Sequence, residues 1–575
     1  MQAAQAERDL PGPPLHAKKG FLRSTLARMT LEEKVGQLFF TSVSGLHAKD
    51  TSGAAVNQSR YGVDSPGEVV TKFHLGGVLY FANNITNPTQ LNAFSNSLQE
   101  VAVGERSGIP LSLTIDQETG IVNRMQSPAT EFPGHMAMGA TRSPELAERA
   151  WTIVGKELRA VGVNWNFAPV LDVNTNPNNP VIGLRSLGED PSLVGELGTV
   201  AVQAQQASGV SATIKHFPGH GDTEVDSHFG LPLVAYDRDT LMNVHVAPFK
   251  QAIDAGVDAV MTAHMVVEVI DDELPSTLSR EFLTGLLREE LGFDGLIVTD
   301  ALNMAAVERE LGLGQDDVAV MAFQAGADVL LLPADFQLAY RGVLEAVRSG
   351  EISKKRLEAS VMRILEAKYD RGLFHGPFAD PEGVETTVGI PEHLATADEV
   401  ARTSPTLIIN GGDVLPLDAS EIDNALVVGP SAANTSSLAG RLSQQGLNTT
   451  LLTVSTTPTA AQRSEATAAA GSADVVLVTT TNARGNSSQR QLVAQLAATG
   501  TPLIVVPAAL PYDAAHVSGA DAILVTYSSR PVAMRAAADV ILGVAQPAGL
   551  LPVSIPAADG QILYPFGHGL SYSGP

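Results

Sequence analysis

Eight short apolar runs, each followed by further chain before the next, constrain this sequence more than any other feature. They fall at residues 35–40, 76–81, 110–116, 164–169, 212–216, 259–263, 295–300 and 328–332. Amphipathic stretches at 143–161, 191–208, 239–255, 279–291 and 316–325 lie between them, several opening on a Ser or Asp suited to capping a helix. Strands joined by helical crossovers are parallel, and a parallel sheet covered on both faces needs strands that are apolar throughout. Eight such units predict a closed (β/α)8 barrel, an α/β fold.

A stretch rich in Pro, Gly and acid at 376–389 reads as a linker, and a second series follows it. Apolar runs at 406–410, 425–428, 450–454, 475–480, 503–508 and 523–526 alternate with Ala-rich helical stretches such as 489–498 and 531–544. That pattern predicts a smaller, doubly wound α/β sandwich domain. Its first loop, at 429–433, lacks both glycine-rich phosphate patterns, which argues against nucleotide binding. The expected division is a flexible N-terminal segment 1–20, a catalytic barrel 21–375, a linker 376–403 and the sandwich 404–575.

Barrel chemistry sits at the carboxyl ends of the strands. Those ends carry Asp116 with Glu118, Asn166 with Asp172, Lys215 with His216, then His264 and Asp300. The densest stretch is 215–232, which holds Lys215, His216, His220, His228, Asp222, Glu224 and Asp226, broken by Pro218, Gly219 and Gly221. Proline and glycine at that spacing permit neither helix nor strand, so the segment is a shaped loop at the end of a buried strand. A solvated polar loop is the plain alternative; so many titratable groups in one place favour a site.

Composition removes several classes. With 62 acids against 37 bases the net charge is −25, which repels nucleic-acid backbones and anionic lipid. There is no uninterrupted apolar stretch of about 18 residues, hence no membrane span is expected. The absence of cysteine excludes disulfides, thiolate nucleophiles and zinc–thiolate sites. A metal-dependent barrel hydrolase built on His216, His220, His228, Asp222 and Asp300 is a rival. No HxH pair ends the first strand and no HExxH lies on a helix, so neither metal nor cofactor is expected. Residues 1–20 lack the apolar core of an export signal, which reads as cytoplasmic; a mature extracytoplasmic form with its leader replaced by Met1 gives the same sequence. A monomer is expected.

The segments 29–37, 132–134, 166–173, 181–191, 298–304 and 563–572, together with 215–228, resemble glycoside hydrolase family 3 along nearly the whole chain. The 215–228 stretch resembles the β-N-acetylglucosaminidase (β-N-acetylhexosaminidase) branch in its two-domain form. The resemblance implies a retaining, exo-acting enzyme that releases terminal GlcNAc from glycans or cell-wall fragments, as in peptidoglycan turnover. It implies Asp300 as nucleophile, Asp226 and His228 as the general acid/base pair, and Asp116, Arg124, Arg185, Lys215 and His216 as the groups that hold the sugar hydroxyls. Thr119 and Ile121 depart from it, since many relatives carry Gly and Arg there. Plainer roles stay open: a helix cap for Asp300, an exposed loop histidine for His228, a surface salt bridge for Arg185. His220, between two glycines, is expected to shape the loop, and residues 404–575 are expected to supply no proton donor. A β-N-acetylglucosaminide phosphorylase using the same site is the remaining alternative; a non-catalytic sugar-binding scaffold would have lost Asp300 or His228.

Overall fold

The computed structural model describes residues 15–572. Eight parallel strands close into a barrel: β1 Phe39–Thr41, β2 Gly77–Tyr80, β3 Ser112–Ile115, β4 Trp165–Asn166, β5 Ser211–Phe217, β6 Ala259–Thr262, β7 Leu296–Val298 and β8 Leu330–Leu331. Neighbours in sequence are neighbours in space from β1 to β7, β8 pairs with β1, and a parallel bridge from Val298 to Val329 closes the ring. The interior is filled by side chains. Phe40 meets Trp165 edge-on at 5.5 Å, and the Trp165 indole N–H donates to Thr213 Oγ1 at 2.6 Å, so its one polar atom is satisfied inside the core.

The first apolar run is shifted from its expected place. Residues Leu31–Gln37 form a helix, because Thr30 and Glu33 make a reciprocal capping box that starts one, and the strand follows at Phe39. The fourth run shortens to Trp165–Asn166, since Pro169 has no N–H to give the ladder; Val170 still bridges to Lys215. The stretch 239–255 is broken into a short turn, a π-helical segment Leu241–His245 and the helix Ala247–Asp254, with Pro248 in the first turn of the last. The stretch 279–291 winds as a π-helix over Glu281–Glu290. Helix Leu15–Arg28 opens the described chain, so ordered structure reaches into the segment expected to be flexible; residues 1–14 of it lie outside the described residues.

The second domain is a six-stranded sheet of β9 Thr406–Asn410, β10 Ala425–Pro430, β11 Thr449–Val454, β12 Val475–Thr480, β13 Leu503–Pro507 and β14 Ala522–Val525. Its order is β9-β14-β13-β12-β10-β11, parallel throughout except for the edge strand β9. Apolar clusters cover both faces, as a doubly wound sheet requires. Between the domains, the second half of segment 376–403 is the helix Pro391–Thr403, which packs on Pro144–Ala160 of the barrel and on Pro531–Ile541 of the sandwich. His393 Nδ1 lies 2.9 Å from Glu157 Oε1, and Arg402 Nε donates to Asp539 at 2.8 Å, so this helix is tied by side-chain bonds to both domains.

One core residue is unexpected. Lys368, on helix Lys354–Asp370, is 1% exposed, and its ammonium donates to Gln37 Oε1 at 2.7 Å. Burial pulls its pKa down to about 7.

Candidate active site

Four strand ends bring the expected residues to one mouth. Asp116 lies just past β3, Lys215 and His216 within β5, and Asp300 two residues past β7. Arg185 closes the short turn Gly183–Arg185 in the loop after β4. Arg124 follows a small hairpin, Gln117–Thr119 with Val122–Asn123, that rises from the end of β3.

These groups form an unbroken chain of charge-assisted bonds. Lys215 Nζ donates to Asp116 Oδ1 at 2.8 Å and to Glu118 Oε1 at 2.6 Å. Glu118 takes Arg185 in a two-pronged pair, Nε to Oε2 and Nη2 to Oε1, both 2.8 Å. Arg185 Nη2 also lies 3.3 Å from His216 Nε2, and His216 Nδ1 lies 2.7 Å from Asp172 Oδ2. One tautomer makes both bonds: Nδ1–H donates to Asp172 while Nε2 accepts from Arg185. Asp172 also accepts the backbone N–H of His216 at 3.1 Å and of His220 at 2.6 Å.

The electrostatics follow from burial set against partners. Burial alone would raise Glu118, but Arg185 and Lys215 outweigh it and hold the carboxyl well below its ordinary range. Lys215 is raised: burial opposes its charge, and Asp116 and Glu118 more than restore it. Burial would likewise raise Asp300, yet His216, His264, the Ala301 N–H and Lys215 leave it below the usual carboxylate value. Asp300 is therefore ionised at neutral pH. Its Oδ1 accepts the Ala301 N–H at 2.7 Å, and its own N–H donates to Thr262 Oγ1 at 3.3 Å, which fixes the carboxylate on the strand end.

The loop after β5 supplies the second half of the site. His228 Nδ1 lies 2.7 Å from Asp226 Oδ1, which also accepts the His228 N–H at 2.9 Å. The Asp226 carboxylate thus orients the ring, and His228 Nε2 makes no hydrogen bond among the described residues. The His228 side chain is 55% exposed. His220 is buried beneath, its ring nitrogens 2.6 Å from Thr223 Oγ1 and 3.0 Å from Ser227 Oγ, and burial lowers its pKa to about 4. It is a neutral strut inside the loop. Gly221 lets the loop lie on the chain after β4, because a Cβ there would meet the Val173 carbonyl at 1.9 Å. At the far end, Ala306 N–H donates to Ser227 O at 3.3 Å, which docks the loop on the segment following Asp300. His264 is buried beside Asp300, its Nε2 3.0 Å from Ala301 O, and burial lowers its pKa.

Arg124 lies apart from the ion chain. Its guanidinium sits 5.4 Å over the Phe81 ring, and its buried Nε has no partner among the described residues. The residue-by-residue assignment leaves out Glu118, Asp172 and His264, although the strand-end pattern contains all three. Each acts on another side chain, a role that motif matching does not reveal. His216, His220 and His228 are committed to different partners, and among the described residues no three His, Asp or Glu side chains are grouped as metal ligands. No described helix is long and apolar enough to cross a membrane.

Comparison with known proteins agrees with this architecture. Residues 30–367 match the Glycosyl hydrolase family 3 N terminal domain, and 405–572 match the family 3 C-terminal domain. Beta-hexosaminidase A of Pseudoalteromonas piscicida is 38% identical over 386 residues, spanning 63% of this chain and 63% of that protein's length. A Beta-N-acetylglucosaminidase/beta-glucosidase of Cellulomonas fimi is 32% identical over 71% of this chain and 69% of its own. The solved family 3 β-N-acetylglucosaminidase of Paenibacillus sp. str. FPU-7 superposes with a TM-score of 0.83 at 38% identity, covering 91% of this chain and 99% of that one. Probable beta-glucosidase C of Aspergillus flavus is also similar, 27% identical over 96% of this chain and 90% of its own length. With both family domains matched in order and along most of its length, the chain belongs to glycosyl hydrolase family 3.

Proposed function

We propose that this glycoside hydrolase is a retaining, exo-acting β-N-acetylglucosaminidase, with Asp300 as nucleophile and His228, oriented by Asp226, as general acid and base. The observation that carries the reading is the Asp226–His228 pair on the β5 loop, docked at Ser227 on the segment after Asp300. Retaining hydrolysis needs a carboxylate under the anomeric carbon and a proton donor beside the leaving oxygen. Asp300, ionised and fixed, attacks the anomeric carbon, the glycosidic bond breaks, and the His228 Nε2 proton passes to the departing oxygen. Water then displaces Asp300 from the sugar while His228 takes the water proton. Asp226 stabilises the imidazolium that donates in the first step and re-forms in the second. Asp116, Arg124, Arg185, Lys215 and His216 grip the ring hydroxyls.

A panel of aryl β-glycosides tests the reading. The N-acetylglucosaminide should be cleaved faster than the glucoside or xyloside, and the sugar first released should be the β-anomer. A first-formed α-anomer, or a preference for the glucoside, would overturn it. Rates with and without inorganic phosphate separate hydrolysis from phosphorolysis, since an imidazole donor repels phosphate less than a carboxylate does.

A further inference from the structure

The hairpin that carries Glu118 is held by the second domain. Its tip is Gly120, at φ +61, and three neighbours pin it. Its N–H donates to Phe132 O at 3.3 Å, and its Cα packs so closely on Gly134 that a Cβ would come within 2.8 Å. Its carbonyl accepts Arg530 Nε at 2.8 Å, from the residue that caps the N-terminus of helix Pro531–Ile541 in the sandwich. Arg530 Nη1 also lies 3.7 Å from Glu131 Oε1 on the barrel. Arg530 is half-buried, so its charge is poorly screened and its planar donors have little freedom. The loop bearing Arg185 is held from the same side: Asn174 Nδ2 donates to Tyr512 Oη at 2.9 Å, Arg484 donates to Pro177 O and Asn178 Oδ1, and Leu510 packs on Gly183. Both members of the Glu118–Arg185 pair therefore stand on loops fixed by the second domain.

We propose that Arg530 is a positioning residue for the sugar site: by holding the Gly120 carbonyl it sets Glu118 between Lys215 and Arg185, and through them the donors that meet the ring hydroxyls. Glu118 is two residues from the pinned tip on a two-stranded hairpin, so displacing the tip tilts the carboxylate. The inference rests on the proposed function for the identity of the sugar, but not for the coupling itself.

The test is a double-mutant cycle on the full chain. Arg530→Met keeps the bulk and removes the donors; it should raise KM for the aryl N-acetylglucosaminide and the inhibition constant of free GlcNAc by about tenfold, with a smaller change in kcat. Arg530→Lys, which keeps one donor, should recover most of the loss. Glu118→Gln should weaken binding by itself, and adding Arg530→Met should then cost little more, because both changes act on one linkage. If Arg530→Met does not fold, Arg530→Gln carries the same measurements. Unchanged KM and inhibition constant with a lowered melting temperature would make Arg530 interdomain packing only and overturn the proposal. Additive losses in the cycle would overturn it too. A chain that prefers a glucoside would defeat the proposed function yet leave the cycle readable on that substrate, with glucose as the inhibitor.

Discussion

Replacing His228 by Ala separates its proton-transfer role from every structural one. Its side chain is 55% exposed and, among the described residues, hydrogen-bonds to Asp226 alone, so its loss should cost the fold no more than about 0.5 kcal/mol. Kinetic losses then report chemistry. General acid–base help is worth about 10²–10⁴-fold, and it matters most when the leaving oxygen departs poorly. On N,N′-diacetylchitobiose, His228→Ala should lose activity across that range. On the 2,4-dinitrophenyl N-acetylglucosaminide, whose leaving oxygen needs no proton, the first step should survive and only base help in the second should be lost. Asp226→Ala leaves the imidazole but removes the charge that orients the ring and supports its protonated form, so it should cost less than His228→Ala, about ten- to a hundredfold, with the same substrate dependence. Single-turnover and steady-state rates on both substrates give the comparison. Equal losses on the two would refute the argument: His228 would then bind sugar or hold the loop, and the donor would be sought at Glu224 first.

Asp300→Ala should retain no more than a few per cent of activity on any aryl glycoside, measured against a melting curve that shows the protein folded. Glu118→Gln leaves Lys215 and Arg185 partly uncompensated in a buried site and should cost about 3–5 kcal/mol of stability, read as an earlier denaturant midpoint for the barrel. Lys368→Met should stabilise the protein at pH 7. The folded pKa near 7 lies below the unfolded value, so the lysine's penalty is fully present below pH 7 and relieved as pH rises toward 10.5; about 4 kcal/mol is recovered on removal, less the cost of leaving Gln37 Oε1 unpaired. A variant that melts earlier than the parent at pH 7 would show the penalty to be absent. Exhaustive chelation should leave activity unchanged; a loss restored by zinc or manganese would point to the metal-dependent alternative.

The barrel and the sandwich were legible because eight and then six apolar runs keep their order and spacing; only the starts and ends moved. The first run failed where a local rule outranked hydrophobicity: Thr30 and Glu33 cap a helix before Phe39 can begin a strand. The π-helical stretches were not legible, since an extra residue per turn leaves no mark on apolar periodicity at this length. At the site, Asp116, Lys215, His216 and Asp300 were readable as strand ends, and the Asp226–His228 pair only through the resemblance carried by the 215–228 loop. Glu118 and Asp172 were harder to place. Their work is to align Lys215, Arg185 and His216, and that depends on contacts between segments far apart in sequence, such as Glu118 with Arg185 and Asp172 with His216. Arg530 gave no signal whatever, because nothing near residue 530 announces that its side chain reaches Gly120.

The alternation of Asp116, Lys215, Glu118, Arg185, His216 and Asp172 has a bearing on how ionic strength acts. Within that largely buried series the charges nearly cancel, and buried pairs are screened much less than exposed ones, so added salt should change the bond-breaking step little. The chain's net charge of −25 resides mainly on its surface, and neutral sugars do not feel it. A substrate whose far end bears carboxylates, such as a peptide-linked cell-wall fragment, must approach through that repulsive field. Salt should then speed capture of the charged fragment and not of chitobiose, making the ionic-strength slope of kcat/KM a gauge of which glycans the surface has been shaped to meet.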